Sequence, residues 1–164
     1  MSSSIYSPDF EDKLHYFELA KKLFNENNIS QASLLIESIG DKHPPYLNIY
    51  FLKSQCAFSL GDYCKALKYA NEGLDKWEIN KDSSVDSLLM KIKLLFLRSN
   101  VYQALDKKEN CERDLEQVKR IVEGQLSKSE VDGNATKSIE TELNERMNRI
   151  KEEKLENSVN VFIE

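Results

Sequence analysis

Residues that interrupt regular structure are scarce here, with 5 glycines and 3 prolines among 164 residues. Few positions force a helix or strand to stop, which excludes a collagen-like or loop-dominated chain. Cysteine is equally sparse. Cys56, Cys64 and Cys111 are an odd set, all within helical patterns, so they are read as small buried residues in a reducing compartment rather than as a disulfide framework. Positive charge is not in excess: 23 basic residues stand against 28 acidic ones, a net charge of -5, and no basic block exists. Phosphate neutralisation needs a positive face, so nucleic-acid binding is not expected. No apolar run reaches the length of a membrane span, and MSSSIYSPDF lacks the basic and apolar regions of a signal peptide. The expected location is the cytoplasm, with the nucleus open, and no membrane insertion is expected.

Catalytic patterns are missing as well. There is no phosphate loop, no glycine-rich nucleotide turn, no metal-spaced Cys and His cluster and no nucleophile elbow. His15 and His43 are both read as solvated surface residues rather than catalytic bases. The chain therefore reads as non-enzymatic, without cofactor or metal. Asn134-Ala135-Thr136 matches a glycosylation sequon, but in a reducing compartment it is a chance tripeptide.

Helical periodicity fills the space these absences leave. With 40% hydrophobic and 31% charged residues the chain can bury a core of about one domain. Ser7-Pro8-Asp9 offers an N-cap, a first-turn proline and a first-turn acid, and opens helix one. Residues 48–76 hold two helical patterns joined by Leu60-Gly61-Asp62-Tyr63, a break short enough that the second must fold back on the first. Stepping back 34 residues lands Tyr50 on Tyr16, Phe51 on Phe17, Phe58 on Phe24 and Ala66 on Ala32. Stepping forward 45 pairs Phe51 with Phe96, Leu52 with Leu97, Lys53 with Arg98, Ser54 with Ser99, Gln55 with Asn100 and Leu60 with Leu105. The third copy arrives about 11 residues late, delayed by the polar insertion over residues 78–86. That insertion either extends the turn or lengthens helix four or five; periodicity leaves the choice open.

A 34-residue helix-turn-helix period resembles the tetratricopeptide repeat. The second copy carries the resemblance in Gly61-Asp62-Tyr63, Ala66-Leu67 and Leu74. The first keeps Ala20, Leu23, Ala32, Ile36 and Pro44 but has Asn27-Asn28-Ile29 at the turn, and the third has Asp106, Lys108 and Cys111 where the second has Gly61, Tyr63 and Ala66. The resemblance implies an all-α fold: an α-solenoid of three hairpins over about 8–44, 45–78 and 85–123, after a flexible tail over 1–7. In helix two, Ser30 to Ile39 show the helical spacing, stopped at Gly40 before the turn at 41–45. Ile139, Leu143, Met147 and Ile150 then stripe a seventh helix over 134–156, expected to cap the last hairpin. A coiled coil is the alternative, but Arg146 interrupts the seam. Residues 157–164 are expected as a tail, either disordered or an added peptide arm.

In such an array the first helix of each hairpin lines the concave surface. Taking Tyr16, Tyr50 and Leu95 as hairpin core, with Ala20, Ser54 and Ser99, turns the following residues Phe17, Phe51 and Phe96 about 100° away. They form a candidate ladder for a partner, extended by Phe24 and Phe58, with Lys21, Asn48, Leu52, Gln55, Lys93, Leu97 and Asn100 beside it. The competing reading buries these rings against adjacent helices or under the carboxy-terminal segment. Lys53 and Arg98, one position before the small residue, either reach an acidic ligand or snorkel to solvent.

The resemblance implies a protein partner bound through a helical or extended peptide. Alternatives are a constitutive subunit, homodimer or larger complex, and a co-chaperone holding an acidic chaperone tail. The family's two-carboxylate clamp would fall on Phe17, Lys21, Leu52, Lys93 and Leu97, of which Lys93 alone carries the required residue.

Overall fold

The computed structural model describes residues 8–39, 46–80, 84–126 and 133–163, and every described element is helical. The chain divides into two compact units, residues 1–81 and 82–164. The first unit holds α1 (Pro8–Asn25), α2 (Ile29–Glu37), α3 (Tyr46–Ser59) and α4 (Tyr63–Asn80); the second holds α5 (Val85–Ala104), α6 (Lys108–Ile121) and α7 (Gly133–Ile163). A π-helical turn, Val122–Leu126, continues α6.

Three helix pairs pack on each other, α1 with α2, α3 with α4 and α5 with α6. Their connecting turns are the same structure three times. Asn27, Gly61 and Asp106 take φ of 65°, 80° and 57°, the left-handed conformation that ends a helix. The amide after each donates five residues back: Asn28 to the Leu23 carbonyl at 2.8 Å, Asp62 to Ala57 at 2.9 Å and Lys107 to Tyr102 at 2.8 Å. The left-handed residue itself bonds three back, to Phe24, Phe58 and Gln103. This pair of bonds satisfies carbonyls that would otherwise be orphaned at the helix end. Asn28, Asp62 and Lys107 then accept from Ala32, Ala66 and Cys111, starting the return helix. The spacings of 34 and 45 found in the sequence thus reappear in the backbone.

Beyond the turns, several boundaries differ from the sequence reading. The late third copy is explained by helix length: α4 has 18 residues against 9 in α2, and α5 has 20 against 14 in α3, its extra turns preceding Lys91, the counterpart of Tyr46. Ser84 caps that lengthened end, its hydroxyl accepting from the Ser87 amide at 3.3 Å. α2 ends at Glu37, before Ile39. α7 runs to Ile163, where a tail beyond residue 156 was expected. The 1–7 tail with Ser7, Gly40, the 41–45 turn with His43 and Pro44, and parts of the 78–86 and 125–133 segments lie outside the described residues, as do the side chains of residues 8–11.

The core of the first unit is built from Phe17, Ala20, Ala32, Ile36, Ile39, Ile49, Leu52 and Cys56. Ala20 and Ala32 are fully buried because α1 and α2 approach closely there, as do α3 and α4 at Ala66, where the Ser54 hydroxyl donates to the Ala66 carbonyl at 2.8 Å. In the second unit Leu94, Leu95, Val101, Leu115 and Val118 are sealed from solvent, and Leu143 and Ile150 of α7 are buried with them. Tyr16 corrects the sequence reading: it is 43% exposed, whereas its counterparts Tyr50 and Leu95 are 1% and 0% exposed. Among the described helices α3 packs against α1, α2 and α4, whereas α1 packs mainly against α2, which leaves Tyr16 less covered than Tyr50.

Candidate partner-binding face

In the first unit the candidate face lies on α1 and α3, which are in contact. Phe51, Phe58, Asn48 and Gln55 of α3 are half-buried, as is Phe24 of α1, while Lys21 is exposed. Their spacing puts Asn48, Phe51, Gln55 and Phe58 on one side of α3, at intervals of three and four residues. The Phe58 ring leans on Tyr63, with centroids 5.4 Å apart, so the end of this side is stiffened by the turn residue that starts α4. Two expected members are corrected. Phe17 and Leu52 are 7% and 4% exposed and sit inside the core with Ala20, Ala32, Ile36, Ile49 and Cys56.

In the second unit Lys93 is exposed and Asn100 half-buried, but Phe96 and Leu97 are 6% and 9% exposed. These two are corrected as well. Phe96 is covered by α7, whose Arg146 guanidinium stands 4.7 Å from the ring centroid. Arg146 Nη1 donates to the Phe96 carbonyl and to Ser99 Oγ, both at 3.1 Å, and to Asn100 Oδ1. Its other edge donates to Glu142 at 2.7 Å and 3.2 Å. Arg146, read in sequence as an interruption of an apolar seam, is the side chain that fastens α7 to α5. Further out, Lys154 pairs with Glu112 at 2.5 Å and Gln103 donates to Glu153 at 3.3 Å. Between α6 and α7 an open cleft of about 620 Å³ remains, floored by Met147 and Ile150 and rimmed by Glu109, Glu112, Arg113, Glu116, Arg120 and Lys151.

Lys53 and Arg98 turn inward rather than snorkelling. Lys53 is 7% exposed; its ammonium donates to the Ile39 carbonyl at 3.3 Å and lies 5.7 Å and 5.6 Å from the Tyr50 and Tyr69 rings. Arg98 grips Asp114 of α6 through two bonds, Nε at 2.8 Å and Nη2 at 2.6 Å. Near Lys53, the Tyr69 hydroxyl donates to both oxygens of Glu37, at 2.6 Å and 2.7 Å, and Lys65 lies 3.0 Å from the same carboxylate. Partial burial pushes the Glu37 carboxyl up. The hydrogen bonds from Tyr69 and Lys65, with the charges of Lys65 and Lys53, outweigh it and leave the pKa below its ordinary value.

Among the described residues no group of three or more His, Cys, Asp or Glu could hold a metal ion, and no helix is long and apolar enough to cross a membrane. Burial, and less strongly a neighbouring acid, pushes the thiols of Cys56 and Cys111 up to about 11. Cys64 is exposed. Comparison with family models, with curated proteins and with solved structures gives no match.

Proposed function

We propose that this chain is a tetratricopeptide-type α-solenoid acting as a non-enzymatic adaptor, which binds a helical or apolar peptide of another protein on the α1–α3 face. The carrying observation is that Phe24, Phe51 and Phe58 stay half-exposed while a separate set, Phe17, Ala20, Ile36, Ile49, Leu52 and Cys56, already fills the core beneath them. Aromatic surface left over after a core is complete is what a groove for an amphipathic helix offers. The recurrence of one left-handed turn at Asn27, Gly61 and Asp106 supports the repeat reading.

Clamp-type recognition of an acidic tail is disfavoured. Of the positions where the clamp needs donors, Phe17, Leu52 and Leu97 are buried apolar side chains, so no paired charge-assisted bonds can form there. A standing subunit interface is the second reading, favoured by Tyr16, Leu19 and Leu34 at 43%, 38% and 76% exposure on the first hairpin. Sedimentation of the purified chain separates the two: a monomer supports the adaptor, and a concentration-dependent dimer supports the standing interface. Phe51→Ala tests the face itself. An interface aromatic contributes on the order of 2 kcal/mol or more to binding, so capture of the cellular partner should fall by roughly 30-fold or more.

A further inference from the structure

The Arg146 site shows what chemistry α5 receives. An aromatic ring and its carbonyl at one position, a hydroxyl three residues on and an amide oxygen four residues on share one side of the helix, and together they take a guanidinium that is only 19% exposed. Glu142 of α7 meets the charge on the outer edge, and the α5 acceptors satisfy the edge turned inward, which would otherwise be costly to bury.

The same spacing stands 45 residues earlier, at Phe51, Ser54 and Gln55 of α3. Ser54 has turned its hydroxyl to the Ala66 carbonyl, but the Phe51 ring and the Gln55 amide are half-exposed and have no partner among the described residues. The first repeat cannot offer this chemistry. There Phe17 is buried, Ala20 has no hydroxyl and Lys21 brings a cation where the acceptor should be.

We propose that Phe51 and Gln55 receive an arginine of the partner peptide, stacked on the ring and hydrogen-bonded to Gln55 Oε1, as Phe96 and Asn100 receive Arg146. The inference rests on the adaptor reading and names the ligand chemistry of that face: an amphipathic helical segment bearing an arginine. A planar guanidinium suits the pair better than an ammonium, because it can lie flat on the ring while its edge donates to the amide.

The probe is a synthetic peptide spanning residues 137–156 of this chain, titrated into the isotope-labelled full-length protein and followed by amide chemical shifts. Shifts centred on residues 51–55 are expected, at least tenfold weaker binding for the same peptide carrying Arg146→Gln, loss with Gln55→Lys in the protein, and tighter binding with Gln55→Glu. A peptide bound equally well with glutamine in place of its arginine overturns the proposal, as do shifts confined to α5, or Gln55→Lys and Gln55→Glu behaving alike. If Phe51→Ala abolishes capture of the cellular partner while the arginine peptide does not bind, the arginine assignment fails and the adaptor reading stands.

Discussion

Asp106 holds φ 57° at a helix end where Gly61 holds 80°, and the difference in side chain has an energetic consequence. The left-handed region costs an L-residue roughly 1 to 2 kcal/mol that glycine does not lose. Asp106→Gly should therefore raise stability by about 1 kcal/mol, and Gly61→Ala, whose new Cβ would meet nothing within 4 Å, should lower it by a similar amount through backbone strain alone. Urea unfolding of the two variants checks both signs; two losses would contradict the shared turn. The Glu37 carboxylate gives a pH signature. Its pKa is depressed on folding, so its contribution is present above the unfolded value of 4.5 and is lost as pH falls through the folded value. Glu37→Gln should be less stable than wild type at neutral pH and equal to it in acid; a gap that does not narrow would contradict the Tyr69 and Lys65 bonds. Thiol chemistry should be as uneven as burial: in the native chain Cys64 reacts promptly with an aromatic disulfide reagent, while Cys56 and Cys111 wait for unfolding. At this scale the turn residues were legible, because glycine, asparagine and aspartate advertise the left-handed region. The exposure of Tyr16 was not, since a residue's match to Tyr50 says nothing of whether a hairpin stands on its other side.

Helices and their pairings were the most legible level, because the 3.6-residue period and the 34-residue repeat are both written in one dimension. The lengthening of α5 was not, for six added helical residues and six added loop residues delay the next copy equally. The seventh helix was legible, but the way it is fastened was not. Its apolar stripe of Ile139, Leu143, Met147 and Ile150 was visible, but the acceptors that make Arg146 a fastening lie on α5, and no pattern within α7 reports them. Removing hydrogen bonds to a charged group costs about 1.5 to 3 kcal/mol, so Arg146→Met should loosen α7 selectively. Amide hydrogen exchange should quicken across α7 and stay slow in α3 and α4; unchanged protection of α7 would mean that Leu143 and Ile150 hold it alone. The Arg98–Asp114 pair plays the corresponding part between α5 and α6. With Asp114 side-chain exposure at 5%, Arg98→Met strands a buried carboxylate and should cost about 3 to 5 kcal/mol.

For the whole molecule the candidate site was half legible: the repeat singled out one aromatic position, and burial then divided its members. Phe17 and Phe96 became packing, the first within the α1–α2–α3 core and the second under α7, while Phe51 stayed half-buried. We propose that the Phe51 ring serves a partner and not the fold. Truncating a core aromatic costs about 3 to 5 kcal/mol of stability, whereas truncating an interface anchor removes binding and leaves the fold in place. The direct measurement is quantitative affinity capture from the source cell with wild-type and Phe51→Ala chains as paired baits, each matched for folded protein by its melting curve. The expected result is a melting temperature within a few degrees of wild type and a specific captured protein depleted roughly 30-fold or more. A Phe51→Ala chain that unfolds early, or one that captures the same proteins in the same amounts, would contradict it.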